Sequence, residues 1–412
     1  MRVSVQWLMM FVDLIVVGGG AAGFFTAITC AENSDKSVLI LEKTTNLLHK
    51  VKISGGGRCN VTHDCVDPRA LSASYPRGNK SLIGPFHRFG ASETADWFTS
   101  RGVTLKTEPD GRMFPTTDDS QTIIDTLLDA AHRAGVKVFT SEAVTSIVKN
   151  GDTFEIDTDS GDRYSARNVL LATGGTRNAA GTLAEALGHD MQPATPSLFT
   201  FKINDDRIDG LAGLSVANAE VRIQQSRLQS DGPVLITHWG LSGPGILKIS
   251  AWGARELAER DYRFEVSVNW LPGENPAAII AGLRNTDAKR QLFARSPFPT
   301  IPKRLWLRFL AAAEIGEAST WAQVGKKNVA TLVQHLSNST FTVSGKSTNK
   351  AEFVTCGGVT RDEIDFQTME SKLVHGLFFA GEVIDVDGIT GGFNFQNAWT
   401  NGFHAGMEIA RR

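Results

Sequence analysis

The stretch DLIVVGGGAAG, at positions 13–23, decides how the rest of this chain is interpreted. Its first five residues form a mostly apolar run of buried-strand length, and the alanine-rich segment from Phe24 to Glu32 is typical of a helix. Gly18 would allow a tight turn, Gly20 would let backbone amides approach a pyrophosphate, and Gly23 would let the helix pack closely on the strand. The helix N-terminus would then face the phosphates with its positive dipole end. The pattern predicts a dinucleotide-binding turn.

A second strand-like segment supports that prediction. Ser37 to Leu41 is mostly apolar and is followed by Glu42, near the offset of about 20 residues expected of a carboxylate that binds a ribose hydroxyl. A carboxylate disfavours a 2′-phosphate, so this site favours FAD or NAD over NADP. An isolated glycine motif could be purely structural, but here strand, helix and Glu42 are in register.

Composition excludes several classes of protein. The 412 residues carry a net charge of −2, so the total charge gives no sign of a nucleic-acid or membrane-surface partner. Four cysteines without CxxC pairs suit a reducing compartment, so we expect a cytoplasmic protein with neither a disulfide framework nor a metal site. No apolar run of about 18 residues occurs, so no membrane span is expected. The length predicts two or three domains.

The order of apolar segments predicts an α/β fold whose parallel sheet is interrupted by an insertion. Helices and strands alternate in the first part of the chain, and a buried strand and a last helix return near its end. Between them, strand-like composition and then helix formers predict an insert. We expect a split Rossmann-like FAD-binding domain (11–192 and 355–412), an inserted β-rich domain (193–274 and 338–354) and a small helical subdomain (275–337).

Some element boundaries in this plan are specific. We expect a helix over Thr116 to Ala134 and a short strand over Arg163 to Ala166. A separate buried strand over Val169 to Leu171 should lead into a glycine turn that contains Thr173 and Gly174. That turn lacks a second GxGxxG motif, so we interpret it as another wall of the same site.

Two further glycine-rich segments could close on the same ligand. Ser54 to Asn60 (SGGGRCN) offers backbone amides and a guanidinium, which can neutralise a pyrophosphate or hold the edge of a flavin. The alternative is a glycine-rich surface loop. Gly391 to Asn394 (GGFN) precedes the last helix and would aim amides at the pyrimidine side of an isoalloxazine ring, where negative charge develops on reduction. The three segments together predict a bound flavin dinucleotide.

Three longer blocks carry a family signature: Lys52 to Thr62 (KISGGGRCNVT), Thr237 to Pro244 (THWGLSGP) and Gly381 to Gln396 (GEVIDVDGITGGFNFQ). With them the chain resembles the BaiN/RdsA family of FAD-dependent oxidoreductases, which includes aminoacetone oxidase-like members. The resemblance implies a flavoprotein fold with inserted β and helical domains. It also implies three substrate classes: unsaturated steroid-like ketones, uracil in ribosomal RNA, and small amines oxidised with oxygen. Phe393 departs from the more usual Tyr, so any hydroxyl contact that relatives make at this position is absent here.

The FAD site should draw on every one of these segments. Glu382, after the glycine that ends a buried strand, is expected to accept a ribityl or ribose hydroxyl, with Asp385 as second choice. The predicted FAD-binding residues are Gly18, Gly20, Ala21, Ala22, Gly23, Glu42, Lys43, Lys52, Ser54, Gly56, Gly57, Arg58, Cys59, Asn60, Val144, Thr173, Gly174, Gly381, Glu382, Asp385, Gly391, Gly392, Phe393, Asn394 and Gln396. NADH or NADPH is expected to visit transiently as reductant, because no second nucleotide fold is visible.

Two side chains are candidate catalytic groups. His238 could donate a proton to a reduced double bond near neutral pH, or it could pin its loop by hydrogen bonding. Cys59, beside the predicted flavin loop, could take part in catalysis or be a small packed residue. Arg58 is expected to bind the cofactor rather than a substrate anion.

Residues 284–327 are locally basic, with nine Lys and Arg against three acids. Such a segment suits a phosphate backbone, with Trp306 and Phe309 available for packing or stacking, although a solvated helical face is the alternative. The predicted contacts to ribosomal RNA are Lys303, Arg304 and Arg308.

The expected activity is NAD(P)H-driven reduction of a conjugated C=C bond, on uracil in ribosomal RNA or on an enone. An oxygen-using amine oxidase is the rival enzyme, and a flavin-containing RNA-binding factor without turnover is the alternative from another class. The substrate stays open, because function belongs to the site and not to the fold.

Overall fold

The computed structural model describes residues 10–175, 180–347 and 354–412. The strands, in chain order, are β1 (Met10–Val17), β2 (Val38–Glu42), β3 (Thr62–His63), β4 (Leu105–Thr107), β5 (Arg112–Pro115), β6 (Lys137–Thr140), β7 (Val144–Asn150), β8 (Thr153–Thr158), β9 (Arg163–Leu171), β10 (Met191–Ser197), β11 (Thr200–Lys202), β12 (Ser215–Ile223), β13 (Gln229–Thr237), β14 (Gly240–Ser242), β15 (Phe264–Asn269), β16 (Ser339–Val343), β17 (Gly345–Ser347), β18 (Val354–Val359), β19 (Ile364–Asp365), β20 (Glu370–Ser371) and β21 (Leu377–Phe379). The helices are α1 (Ala21–Glu32), α2 (His49–Gly57), α3 (Pro68–Ser72), α4 (Asn79–Arg88), α5 (Ala91–Thr99), α6 (Gln121–Arg133), α7 (Ala180–Ala186), α8 (Pro244–Trp252), α9 (Ala254–Glu259), α10 (Pro276–Thr286), α11 (Lys303–Ala312), α12 (Lys326–Ser337) and α13 (Phe393–Arg411). Single 3-10 turns span Arg361–Glu363 and Gly381–Val383.

These elements form two compact units. The split unit contains the described residues of Met1–Thr195 and Lys350–Arg412, and the inserted unit contains those of Pro196–Asn349. Each unit has its own hydrophobic core. Both ends of the chain therefore build one unit around a large insertion. In the described ranges, no helix combines the length and the apolar character needed to cross a membrane.

The split unit is organised by a parallel sheet. Its strand order is β19-β20-β21-β9-β1-β2-β6, and the run from β21 to β6 is parallel. Val16 of β1 lies in register with Ile40 of β2 and Leu170 of β9, and all three are fully buried. Such all-apolar strands are typical of sheets covered on both faces. The predicted α/β class with a parallel sheet is confirmed.

Two predicted boundaries were wrong. The helix expected from Thr116 begins at Gln121, because Asp118 adopts a left-handed φ of +52° that a continuous helix cannot contain. The two strands expected between Arg163 and Leu171 are one continuous strand, β9. The first half of β9 pairs antiparallel with β8, and nearly all of β9 pairs parallel with β1.

The inserted unit contains an antiparallel sheet of seven strands in the order β16-β15-β12-β13-β14-β11-β17. Its core includes side chains from the helical segment as well as from the sheet: Trp306 and Phe309 of α11 share one apolar cluster with Trp270 and Phe341. Residues 276–337 thus pack into the same core as the sheet.

Candidate cofactor site

The turn between β1 and α1 contains glycines with different environments. Gly18 has a φ of +113°, and a Cβ atom there would lie 2.5 Å from the carbonyl oxygen of Ala172. A Cβ atom on Gly23 would collide with the carbonyl oxygen of Gly18. Gly20, by contrast, would place its Cβ in open space, with no atom within 4 Å. The first and last glycines are thus required by backbone packing, and the middle one leaves an open approach to the backbone.

The open approach leads to groups that suit an anion. Among the described residues no side chain caps the first turn of α1, so the amides of Ala21 and Ala22 form an uncapped positive end of the helix dipole. Nearby, Thr173 Oγ1 is buried without a hydrogen-bond partner in the described structure, and the Thr173 Cα lies close to Gly18. Gly174, with a φ of +76°, also has open space around it. This donor set fits the pyrophosphate of a dinucleotide.

The carboxylate of Glu42 faces the same turn. Its Oε2 accepts the amide of Gly19 at 2.8 Å, and its Oε1 accepts the amide and the hydroxyl of Thr44, each at 2.9 Å. The amide of Glu142 donates to the Glu42 carbonyl at 3.0 Å, which brings Val144 at the start of β7 to this end of the sheet. The adjacent Lys43 is exposed.

The second glycine segment connects the first to the third. The Leu48 amide donates to the Gly19 carbonyl at 2.9 Å, at the start of α2. Ser54, Gly55 and Gly56 interrupt that helix with non-helical dihedral angles, and no atom lies within 4 Å of a Cβ built on Gly56 or Gly57. The segment is therefore a kinked helix end that faces open space.

Asn60 makes the connection to the third segment. In the amide orientation that satisfies both neighbours, Asn60 accepts the Gly392 amide at 2.9 Å and donates to the Thr62 carbonyl at 3.0 Å. The sequence-predicted segments are thus brought together within the split unit. Lys52, two residues before the kink begins at Ser54, is exposed.

Arg58 has acidic and aromatic neighbours within the protein. Its Nη1 lies 2.7 Å from Glu108 and 3.5 Å from Asp118, and its guanidinium lies 4.0 Å from the centre of the Phe114 ring. The hydrogen bond to Glu108 raises the pKa of Arg58. Its positive charge is thus largely compensated by two carboxylates, which the sequence pattern did not reveal.

Two acids follow the last parallel strand. Glu382 pairs with Lys50 on α2, and the carboxylate is mostly buried. Asp385 is almost fully buried, and its Oδ2 lies 3.8 Å from Nε of Arg361. Gly381 lies against Ala22 at the start of α1, since a Cβ on it would approach the Ala22 Cβ to 3.0 Å. The residue next to Glu382 in the chain thus lies beside the glycine turn.

Gln396 and Asn394 have internal partners. The buried Gln396 accepts from Thr62 Oγ1 and donates to Thr400 Oγ1 at 3.0 Å, and Thr400 in turn donates to the Phe89 carbonyl. Asn394 closes the preceding loop by exchanging two hydrogen bonds with Gly388, at 2.9 and 3.0 Å. Both side chains shape the start of α13 from inside.

Sequence reasoning missed three residues that hold the loop before α13. The guanidinium of Arg77 forms a buried bidentate ion pair with Asp387. The Tyr75 hydroxyl donates to the Phe393 carbonyl at 2.6 Å. The Nδ1 atom of His63 lies 3.1 Å from the Gly391 carbonyl oxygen. Only the position of His63, directly after the Lys52 to Thr62 block, could have drawn attention to it.

The two candidate catalytic side chains have opposite environments. Cys59 is fully buried with a φ of +59°, and burial raises the pKa of its thiol to about 12, so it stays protonated at neutral pH. These observations favour a packing role for Cys59. His238 lies in the inserted unit, exposed in the two-residue turn between β13 and β14. Its neighbour Trp239 is 61% exposed.

The basic stretch is only partly available to a ligand. Lys303, Arg304 and Arg308 are exposed, but Arg304 donates to the Gly210 carbonyl at 2.6 Å and Arg308 to the Asp209 carbonyl at 2.9 Å. Trp306 and Phe309 are fully buried, so they pack in the core and cannot stack on a base.

Comparison with known proteins gives a consistent family assignment. The family model of the HI0933-like protein Rossmann domain matches residues 12–408. The chain is 30% identical to a 3-dehydro-bile acid delta(4,6)-reductase of Clostridium scindens, over 96% of this chain and 98% of that protein. It is 29% identical to a ribosomal RNA dihydrouridine synthase of Escherichia coli, again over 96% and 98%. The resemblance inferred from the glycine-rich blocks is confirmed.

Solved structures show the same fold at low identity. A 3-ketosteroid-delta4-(5alpha)-dehydrogenase from Rhodococcus jostii RHA1 has a TM-score of 0.54 and 15% identity, covering 99% of this chain and 98% of its own. A 3-ketosteroid delta1-dehydrogenase from Sterolibacterium denitrificans has a TM-score of 0.52 and 12% identity, covering 97% and 99%. These likenesses establish the architecture.

Proposed function

Because the chain belongs to the HI0933-like Rossmann-domain family, whose members are flavoprotein-type oxidoreductases, we propose that it binds FAD and reduces a conjugated C=C bond with electrons from NADH or NADPH. The observation that carries this proposal is the convergence of three glycine-rich segments in the split unit. Leu48 bonds to Gly19, and Asn60 bonds to Gly392, so one elongated ligand can contact all three.

Each part of FAD has a matching set of groups. The amides that open α1 would hold the pyrophosphate, and Glu42 would exchange its contacts with Gly19 and Thr44 for the adenosine ribose hydroxyls. Glu382 would accept a hydroxyl of the ribityl chain. The start of α13, which no side chain in the described part of the chain caps, would face the pyrimidine end of the ring. When bound, FAD supplies the two-electron chemistry, and these residues orient it and stabilise its charge.

The proposed substrate class follows from what the relatives' names have in common. One name describes reduction of delta-4,6 double bonds in a 3-dehydro bile acid, and the other describes formation of dihydrouridine, in which a pyrimidine ring loses a double bond. Both are ring C=C bonds that can be conjugated with a carbonyl group. We therefore favour a cyclic enone or a uracil in ribosomal RNA.

His238 is the proposed proton donor to the substrate carbon. It is exposed at a turn, whereas the thiol of Cys59 is buried. His238→Gln should leave the rate of flavin reduction by NADPH unchanged. It should lower the rate at which the reduced flavin reduces a cyclic enone or a uracil in ribosomal RNA by about a hundredfold or more. His87→Gln, an exposed histidine on α4 of the split unit, serves as control. Equal turnover of the two variants would remove His238 from the reaction.

An RNA substrate would need a cationic and aromatic surface on the inserted unit. Besides Lys303, Arg304 and Arg308, the exposed Trp239 ring lies 5.7 Å from the Lys202 ammonium, an arrangement that suits stacking on an unpaired base next to a phosphate. Replacing the three residues of the basic stretch with Ala should weaken RNA binding. It should also reduce the slope of the logarithm of the binding constant against the logarithm of salt concentration by about 2. An equivalent triple variant of Lys80, Arg133 and Lys137, exposed on the split unit, controls for net charge.

The absorption spectrum of the purified protein tests the central proposal. A flavin spectrum that bleaches anaerobically with NADH or NADPH is expected, followed by reoxidation with an enone or with ribosomal RNA. Bleaching by a small amine, with reoxidation by oxygen alone, would indicate the amine oxidase instead. A protein that takes up no flavin on reconstitution would contradict the proposal.

A further inference from the structure

His63 has a defined hydrogen-bonding state in the loop that precedes α13. Its Nδ1 lies 3.1 Å from the Gly391 carbonyl oxygen. A carbonyl oxygen can only accept, so the Nδ1 atom must carry a proton and donate it. The imidazole therefore holds the peptide unit that joins Gly391 to Gly392 whether or not Nε2 is also protonated.

Packing fixes the His63 ring from its other sides. The ring stacks on Phe393, with ring centres 4.7 Å apart and planes 29° apart. The turn between β4 and β5 brings Gly111 so close that a Cβ there would lie 2.5 Å from the imidazole Nε2. Since Gly111 also has a φ of +85°, only glycine allows this approach without strain. The ring thus has little freedom to leave the Gly391 carbonyl.

Strand β3 and Asn60, two residues before it, hold both sides of the same glycine pair. Asn60 accepts the amide of Gly392, and His63 donates to the carbonyl of Gly391. The glycine pair has φ values of +134° and +94°, which leave its peptide poorly constrained by local sterics. The orientation of the first amides of α13 therefore depends on contacts made by residues more than 300 positions earlier.

We propose that His63 is a positioning residue for the flavin, fixing the Gly391 to Gly392 peptide so that the first amides of α13 meet the pyrimidine end of the ring. The inference rests on the proposed function, in which the start of α13 faces that end of FAD. Loss of the donor would loosen the loop, weaken FAD binding and make the bound flavin harder to reduce, because reduction adds negative charge beside those amides.

Three variants test the inference. His63→Leu removes the donor. His63→Asn retains a donor, because its amide nitrogen occupies a position close to that of Nδ1. His87→Leu changes an exposed histidine on α4 and controls for general effects. If His63→Leu does not fold, His63→Gln replaces it, since its amide is one bond too far out to make the same contact.

The first readout needs no flavin. Hydrogen exchange of peptides covering residues 388–396 in the apoprotein should be about tenfold faster in His63→Leu and near the wild-type rate in His63→Asn and His87→Leu. The second readout uses the FAD-loaded protein: the FAD dissociation constant should rise about fivefold in His63→Leu, and the flavin midpoint potential should become more negative. His63→Asn should restore both quantities.

The outcomes separate this inference from the proposed function. Wild-type exchange and potential in His63→Leu, or failure of His63→Asn to restore either, would overturn the positioning role. If the wild-type protein binds no FAD, the proposed function fails. In that case unchanged hydrogen exchange in His63→Leu would show that the His63 to Gly391 hydrogen bond does not hold the loop. Faster exchange would show that His63 holds the loop but positions no flavin, which also overturns the inference.

Discussion

Two glycine-rich segments of the split unit reach their shapes by different routes. The turn at Gly18 to Gly23 is held mainly by its own strand and helix and by the neighbouring β2, through bonds such as that of the Gly18 amide to the Leu41 carbonyl at 2.9 Å. The loop at Asp385 to Asn394 is held by side chains from residues 60–77, which lie more than 300 positions away. The two segments are both rich in glycine, but local contacts set the backbone shape of the first and long-range contacts set that of the second.

The difference predicts where substitutions will act. In the local turn, damage should come from the glycines themselves, because a methyl group meets backbone atoms. In the long-range loop, damage should come from losing a contact with the distant supports, whichever partner of the contact is replaced, and these supports carry no glycine signature. Four substitutions, in order of decreasing effect on stability, test this contrast.

The largest effect is expected from Asp387→Ala. It leaves the Arg77 guanidinium, which is 7% exposed, without its bidentate carboxylate, and the free energy of unfolding should fall by about 4 kcal/mol. Urea denaturation measures the change. The double variant Arg77→Met with Asp387→Leu is the control, because removing both charges should restore part of the loss. A single variant that loses under about 1 kcal/mol would show that the pair does not hold the loop.

Gly23→Ala should follow, at about 3 kcal/mol, because its Cβ would collide with the Gly18 carbonyl and push α1 away from β1. The matched control is Gly84→Ala on α4, where no atom lies within 4 Å of the new Cβ and alanine favours the helix. Gly84→Ala should be neutral or stabilising by urea denaturation. Similar losses in both variants would refute the packing explanation.

Tyr75→Phe removes the hydroxyl that donates to the Phe393 carbonyl and should lower the free energy of unfolding by about 1 kcal/mol, since a buried hydrogen bond is lost. Tyr164→Phe is the control, because the Tyr164 ring is buried elsewhere in the same unit and no described residue accepts from its hydroxyl. If Tyr75→Phe is no worse than this control, the long-range support is weaker than the geometry indicates.

Gly20→Ala should have the smallest effect on stability, below about 1 kcal/mol, because the position has extended dihedral angles and open space. It should nevertheless weaken FAD binding by about tenfold or more, since the methyl group would occupy the approach to the pyrophosphate. Thermal denaturation of the apoprotein and FAD titration measure the two effects. Unchanged FAD affinity would place the pyrophosphate elsewhere.

How far the sequence could be interpreted depended on the range of the interactions. The helix predicted over Phe24 to Glu32 lies within α1 (Ala21–Glu32), and the strand predicted from Ser37 with its end at Glu42 corresponds to β2 (Val38–Glu42). Both were predicted because they follow from local hydrophobic patterns. The start of α6 was missed because Asp118 is turned by contacts with Lys106 and Arg58, which the local pattern does not contain. Trp306 was considered for base stacking because charge density does not reveal which face of a helix is buried.

The sequence by itself determined the family, the parallel α/β class and the glycine turn at residues 18–23, because each depends on hydrophobic periodicity or on steric rules that act over a few residues. The tertiary structure alone decided that Arg58 is paired with acids and that Cys59 is buried. It also decided that His63, Tyr75 and Arg77 shape the loop before α13. These facts depend on contacts between distant residues, whose pairing is set by the packing of the whole unit and leaves no local pattern in the chain.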